Sequence, residues 1–205
     1  MYAGYLFHLF PNAKFIYMVR DGRDAAYSFM VRAKENINFE NFKKNLNTWI
    51  DINEKGLKHC TNIGPNNCLI IKYEQLVTQP EKMIRNLIKF LNLKWSNKFL
   101  NHHKYVGNEI FVYKGDWSTH QIVLPIYSES INTWIGKIKD FKSIEDIRFI
   151  EPMLNKFNYS FKIKNSSHIY QRDELVAKND KILKENKDYW LQKSRNISDH
   201  IKLFD

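Results

Sequence analysis

The stretch KFIYMVRDGRDAAYSFMVR, residues 14–32, decides the fold. Residues 14–19 are β-branched, aromatic and apolar, which predicts a short buried strand. The apolar run stops at Arg20, where Asp21 is a good N-cap and Asp24 suits the first turn of a helix. Ala25, Ala26, Phe29, Met30 and Ala33 then recur at helical spacing and predict the core face of that helix. In open α/β sheets ligands sit beyond the carboxyl ends of strands, so Arg20 marks a candidate site. Ser28 and Arg32 are four apart and share a second helix face. Two guanidinium forks and a hydroxyl suit a phosphate group. In the competing reading, Asp24 on that same face pairs with Ser28 or neutralises the arginines, and residue chemistry alone does not separate the two.

Outward from this stretch the same alternation continues. A second helix is predicted from about 40 to 59, with Phe42, Leu46, Trp49, Ile50 and Leu57 on its apolar stripe. CLIIKYE predicts a strand over 68–74. QPEKMIRNLIKFLNL predicts a third helix, with Pro80 near its first turn and Met83, Leu87, Ile88 and Leu91 inward. Strand, helix, helix, strand, helix is an α/β pattern. Residues 94–128 read as loops with one irregular strand. Residues 143–157 predict a helix with Ile147, Phe149, Ile150 and Leu154 apolar. From about 162 the chain is Lys-rich, with Tyr189 and Trp190 late in it, and reads as a solvated helix or a disordered extension rather than a binding element.

Composition bounds the function. A chain of 205 residues, 43% hydrophobic and 15% aromatic, can bury a core of its own. A formal net charge of +10 favours anionic partners: phosphorylated cofactors, acidic peptides, nucleic acid or membrane surfaces. No segment approaches the roughly 18–20 consecutive apolar residues of a membrane span. No helix-turn-helix, zinc-finger or RNA-recognition signature accompanies the charge. The spacing of Cys60 and Cys68 is wrong for a zinc knuckle. Gly64, Pro65 and Asn66 favour a turn between them, compatible with two free thiols or with a bridge. Asn158, Asn165 and Asn196 begin N-glycosylation sequons, which adds weight to a secretory setting.

LFPNAKFIYMVRDGR, with Ser28 and Arg32 downstream, resembles the 3′-phosphate-binding segment of the tyrosylprotein sulfotransferases. The likeness continues in order through LNTWI, the Cys60/Cys68 pair, YEQLVTQPEKMIRNLIKFLNLKW, WSTHQIVLPIY, TWIGKI and IEPMLNKFNYSF. It implies an α/β fold of the P-loop-NTPase-like sulfotransferase type, a parallel sheet flanked by helices. The sulfotransferase domain is expected over 1–163, with 164–205 as a basic Lys-rich tail. The implied reaction moves a sulfuryl group from 3′-phosphoadenosine-5′-phosphosulfate (PAPS) to tyrosines of acidic secretory proteins, with no metal. The family also implies a homodimer, the Golgi lumen and a Cys60–Cys68 disulfide, and no nucleic-acid partner.

By position, Arg20, Ser28 and Arg32 match the ligands of the 3′-phosphate. Tyr73 matches a nucleotide-contacting tyrosine, although its alternation with Leu69 and Ile71 also suits a core strand position. Ser118 matches the serine that stabilises the transferring sulfuryl group. Thr119, Gln121 and Pro125 fall in a matching cofactor loop, and Lys114 is a further phosphate candidate. Thr133 stands where the family has a cofactor-binding lysine, which Lys114 or Lys137 would have to replace. The family's first strand, phosphosulfate loop and helix, its glutamate general base and its membrane anchor find no match, so impaired catalysis is expected. The alternative is a non-catalytic binder of the nucleotide or of acidic peptides.

Overall fold

The computed structural model describes residues 3–111, 119–162 and 171–200. In chain order its first elements are α1 (Ala3–Leu9), β1 (Phe15–Val19), α2 (Gly22–Arg32), α3 (Phe39–Ile63), β2 (Cys68–Lys72) and α4 (Tyr73–Thr78). They are followed by α5 (Pro80–Leu91), α6 (Thr119–Ile122), α7 (Glu151–Lys156), α8 (Glu174–Glu185) and α9 (Lys187–His200). Two compact units emerge, Met1–Leu76 with Ser130–Gln171 and Val77–Glu129 with Arg172–Asp205.

In the first unit β1 and β2 pair in parallel, from Phe15 opposite Cys68 to Val19 opposite Lys72. Parallel neighbours need a long crossover, and α2 with α3 supplies it. Helix α2 starts where expected, with the Asp21 side chain accepting from the Arg23 N–H. Helix α3 starts at the Asn38 cap and ends at Gly64, whose φ of 85° is a conformation that glycine takes without strain. Its stripe of Phe42, Leu46 and Trp49 is buried against Val19, Ala26 and Met30, and Trp134, Ile147, Ile150 and Leu154 close the same core. Each such large apolar side chain contributes about 1.5–3 kcal/mol by burial. Phe42 stacks on Trp134 with ring centroids 5.9 Å apart.

Two glycines allow these layers to touch. A Cβ on Gly22 would lie 2.7 Å from the Trp49 ring, and one on Gly56 would lie 2.4 Å from Tyr17. Only a residue without a side chain lets α2 meet α3, and α3 meet β1, this closely. The bottom of α3 is tied to the start of β2 by the Cys60–Cys68 disulfide, with Cα atoms 5.3 Å apart. Closing so short a loop stabilises by about 2–3 kcal/mol.

Several expectations need correcting. Phe29 is 43% exposed, and Ala33 is the exposed C-cap of α2, so neither belongs to the core. The strand expected to reach 74 stops at Lys72, and Tyr73 opens α4. Residues 143–157 are not one helix: a 3-10 segment, Ile144–Ile150, contains a non-helical Ile147 and precedes α7. Of the four apolar residues that marked this stretch, Ile147, Ile150 and Leu154 are buried, while Phe149 is 36% exposed. Among the described residues of 94–128 there are two 3-10 turns, the short helix α6 and an isolated Val106–Ile110 bridge, but no strand.

In the second unit Pro80 occupies the first turn of α5, as its missing N–H favours, and Asn92 ends that helix in the left-handed conformation. Val106 and Val123 form a small core with Ile122 and Leu124. Helix α8 buries Val176 and Asp180, and the Asp180 carboxylate accepts from the Ser128 N–H at 3.0 Å, its hydroxyl at 2.7 Å and Arg172 at 2.9 Å.

Candidate functional site

The end of β1 positions Arg20. Its backbone carbonyl accepts from the Trp49 indole N–H at 3.1 Å, which ties the residue to α3. Its guanidinium lies over the Tyr73 ring, 4.8 Å from the centroid, and Nη2 donates to the Ser130 carbonyl at 2.5 Å. Nε is buried and has no hydrogen-bond partner among the described residues. Leaving a buried donor unpaired is costly, so this atom marks a place where an acceptor oxygen fits.

Ser28 and Arg32 lie one turn apart on the exposed face of α2. The Arg32 guanidinium sits over the exposed Phe29 ring, 5.5 Å from its centroid. Asp24 does not pair with Ser28. Its carboxylate, 1% exposed, accepts from the Asn132 N–H at 2.7 Å, the Thr133 N–H at 2.8 Å and the Thr133 hydroxyl at 3.1 Å. Burial raises the Asp24 pKa, opposed by the Asn132 hydrogen bond and by the charge of Arg20.

Arg23 is the residue that sequence reasoning missed. It is 5% exposed and bound to the Asp21 carboxylate through Nε and Nη2, at 2.9 and 2.6 Å. Its remaining donors reach the Phe161 and Ser160 carbonyls at 2.8 and 2.9 Å. The Asp21 N–H donates to Glu74, which also accepts from the Tyr159 hydroxyl at 2.6 Å. Burial raises the Glu74 pKa, with the Tyr159 and Asp21 hydrogen bonds opposing. The only available signal was the Asp-Gly-Arg order itself, in which an N-cap carboxylate can reach a side chain two residues on.

The structure thus brings Arg20 and Tyr73 into contact and sets Ser28 and Arg32 on the helix that follows. Thr133 directs its hydroxyl to Asp24, and Lys137 is exposed further along the same segment. Thr119 opens α6, Gln121 is exposed and Pro125 is buried, all within the second unit. Ser118 and Lys114 lie outside the described residues. Among the described residues no cluster of His, Cys, Asp and Glu could hold a metal ion.

Known proteins resemble the chain in sequence and in fold. The model of the sulfotransferase family matches residues 1–97. Protein-tyrosine sulfotransferase A of Caenorhabditis elegans is 32% identical over 197 residues, covering 95% of this chain and 51% of the relative. The Drosophila melanogaster protein-tyrosine sulfotransferase is 31% identical over 199 residues, covering 95% of this chain and 40% of the relative. Protein-tyrosine sulfotransferase 2 of Gallus gallus is 34% identical over 179 residues, covering 85% and 48%. The chain therefore spans about half the length of the curated relatives it matches. The sulfotransferase domain from the curacin biosynthetic pathway shares the fold, with a TM-score of 0.59 at 19% identity over 77% of this chain and 58% of that one. The sulfotransferase domain of the Synechococcus PCC 7002 olefin synthase does so with a TM-score of 0.58 at 24% identity, over 77% and 55%. Over residues 1–97 the chain matches the sulfotransferase family, and the curated relatives it resembles across most of its length are protein-tyrosine sulfotransferases.

Proposed function

We propose that this chain acts in protein-tyrosine sulfation, with PAPS as the sulfuryl donor and Arg20, Ser28 and Arg32 as the holders of its 3′-phosphate. The observation that carries the reading is the buried Nε of Arg20 at the carboxyl end of β1, which has no partner among the described residues. A phosphate oxygen would complete it with a charge-assisted hydrogen bond, and the exposed Ser28 hydroxyl and Arg32 guanidinium supply further donors of the kind a dianion needs. The Tyr73 ring steadies the Arg20 guanidinium from one face and is the assigned contact to the nucleotide. PAPS, when bound, supplies the sulfuryl group for transfer to a tyrosine oxygen of the acceptor protein.

The roles of Ser118, in stabilising the transferring group, and of Thr119, Gln121 and Pro125, in holding the nucleotide, rest on the resemblance alone. So do the homodimer and the Golgi lumen, for which the Cys60–Cys68 disulfide is supporting chemistry, since such bonds persist in oxidising compartments. The net charge of +10 suits acidic acceptor proteins.

The test is calorimetric titration of the chain with 3′-phosphoadenosine 5′-phosphate. Micromolar binding is expected for the wild type, with at least a tenfold loss in Arg20→Ala. A folded wild-type chain that binds no nucleotide would overturn the reading. A parallel assay of sulfate transfer to an acidic tyrosine peptide separates an enzyme from a nucleotide binder without turnover.

A further inference from the structure

The segment from Ser130 to Trp134 is held at three points, and the middle one is unusual. At one end the Ser130 carbonyl accepts from Arg20 Nη2 at 2.5 Å. At the other end Trp134 is 2% exposed and stacked on Phe42 in the core. Between them, two successive backbone N–H groups and a hydroxyl converge on the single carboxylate of Asp24. Asn132 has a left-handed φ of 61°, the kind of backbone that turns consecutive N–H groups to one side as an anion-holding nest. The anion it holds is the protein's own. Asp24 stands four residues after Arg20 and four before Ser28, so it sits in the middle of the proposed phosphate ligands without being one of them.

Resting on the phosphate reading above, we propose that Asp24 is the positioning residue of the anion site: by clamping Asn132 and Thr133 it fixes the Ser130 carbonyl, and that carbonyl fixes the Arg20 guanidinium. Arg20 has few restraints of its own. The Tyr73 ring sets the distance of the guanidinium plane but not its rotation, because a cation–π contact has no directional hydrogen bond. The Ser130 carbonyl provides that direction, and it leaves Nε buried and without a partner among the described residues. Without the clamp, the segment between Ser130 and Trp134 loses its middle anchor and Arg20 can turn. The clamp also occupies the Thr133 hydroxyl, which is committed to Asp24 and not to a ligand.

Charge and position make opposite predictions, which makes the proposal testable. A carboxylate beside a phosphate site repels the ligand, so if charge were all that mattered, removing Asp24 would tighten binding. If Asp24 positions Arg20, removing it weakens binding, and only for ligands that carry the phosphate Arg20 holds. The experiment titrates the wild type, Asp24→Ala, Asp24→Asn and Arg20→Ala with 3′-phosphoadenosine 5′-phosphate and, separately, with adenosine 5′-phosphate. We expect the wild-type preference for the 3′-phosphorylated nucleotide to fall at least tenfold in Asp24→Ala. The near-isosteric Asp24→Asn, which keeps one acceptor for the two N–H groups, is expected to fold as the wild type does and to lose several-fold. A general weakening of the fold would lower both affinities together and leave the preference intact, which overturns the proposal, as does tighter binding in either variant. A wild type with no preference overturns the phosphate reading and this proposal with it, whereas a preference lost in Arg20→Ala but kept in both Asp24 variants overturns the proposal alone.

Discussion

Arg20 and Arg23 stand three residues apart in one short motif, yet they do opposite things. Arg23 is 5% exposed, and its donors are taken by the Asp21 carboxylate and by the carbonyls of Ser160 and Phe161. Among the described residues Arg20 donates to one carbonyl, lies over one aromatic ring, feels the charge of Asp24 and keeps a buried donor unpaired. A guanidinium offers five N–H donors in a fixed fork, so the count of those already satisfied separates an arginine that builds from one that can bind. Arg23 joins the start of α2 to the chain beyond α7, while Arg20 has the chemistry left over for a ligand.

The largest effect that could break this comparison is Arg23→Ala. It would remove the cation paired with the buried Asp21 carboxylate and leave the buried Phe161 carbonyl without that donor. A loss of about 3–5 kcal/mol is expected in denaturant unfolding, as when one partner is removed from a buried ion pair. Arg20→Ala removes one neutral acceptor's hydrogen bond and a ring contact, so about 1 kcal/mol is expected, alongside the loss of nucleotide binding. Equal costs for the two variants would mean that Arg20 also builds the fold.

A smaller effect tests what the two arginines share. Gly22 lies between Arg20 and Arg23, and an added Cβ would come within 2.7 Å of the Trp49 ring. Trp49 also donates to the Arg20 carbonyl, so it cannot shift without disturbing the end of β1. Gly22→Ala is expected to cost about 1–3 kcal/mol in the same measurement, as overpacking does. A variant as stable as the wild type would show that α2 and α3 can separate without loss, and the motif's glycine would then need another explanation.

Apolar pattern and caps made much of the first unit legible. The strand that ends at Val19, the Asp21 cap and the buried Phe42, Leu46 and Trp49 all follow from spacing and residue type. Spacing failed on α2 because its inward face is partly charged. Periodicity counted Phe29 and Ala33 as core and left Arg23 and Asp24 outside, whereas both charged side chains are buried. Their partners, Ser160 and Phe161 for one and Asn132 and Thr133 for the other, lie more than a hundred residues away in sequence and are mostly backbone groups. No residue type advertises a backbone carbonyl or N–H. The same reason explains Tyr73: its alternation with Leu69 and Ile71 suits a strand, but α4 begins there and Glu74 turns to the Asp21 N–H instead. The Arg20, Ser28 and Arg32 trio drew notice because cations and a hydroxyl at the end of a strand suit an anion, but residue chemistry alone left the pairing with Asp24 equally open.

The smallest effect asks whether the Arg23 cluster needs its second carboxylate to be charged. Glu74 is 1% exposed and accepts from the Asp21 N–H and the Tyr159 hydroxyl. In Glu74→Gln the amide oxygen can still take the Asp21 N–H, while the amide nitrogen donates to Tyr159, whose own proton has the Val19 carbonyl within 3.3 Å. The hydrogen bonds to Asp21 and Tyr159 can therefore both be kept, and the variant should stay within about 1 kcal/mol of the wild type at pH 7. Burial raises the Glu74 pKa above its unfolded value of about 4.3, so the folded state favours the protonated carboxyl. That stabilising contribution is fully present below the unfolded pKa and is lost as pH rises through the folded one. Glutamine has no such dependence. The wild type's advantage over Glu74→Gln is therefore expected to be largest near pH 4 and to shrink toward pH 7, read from paired unfolding curves. A gap that widens toward neutral pH would mean that the ionised carboxylate is what holds Asp21 and Arg23 in place, so that the buried cluster depends on its charge and not on its hydrogen bonds alone.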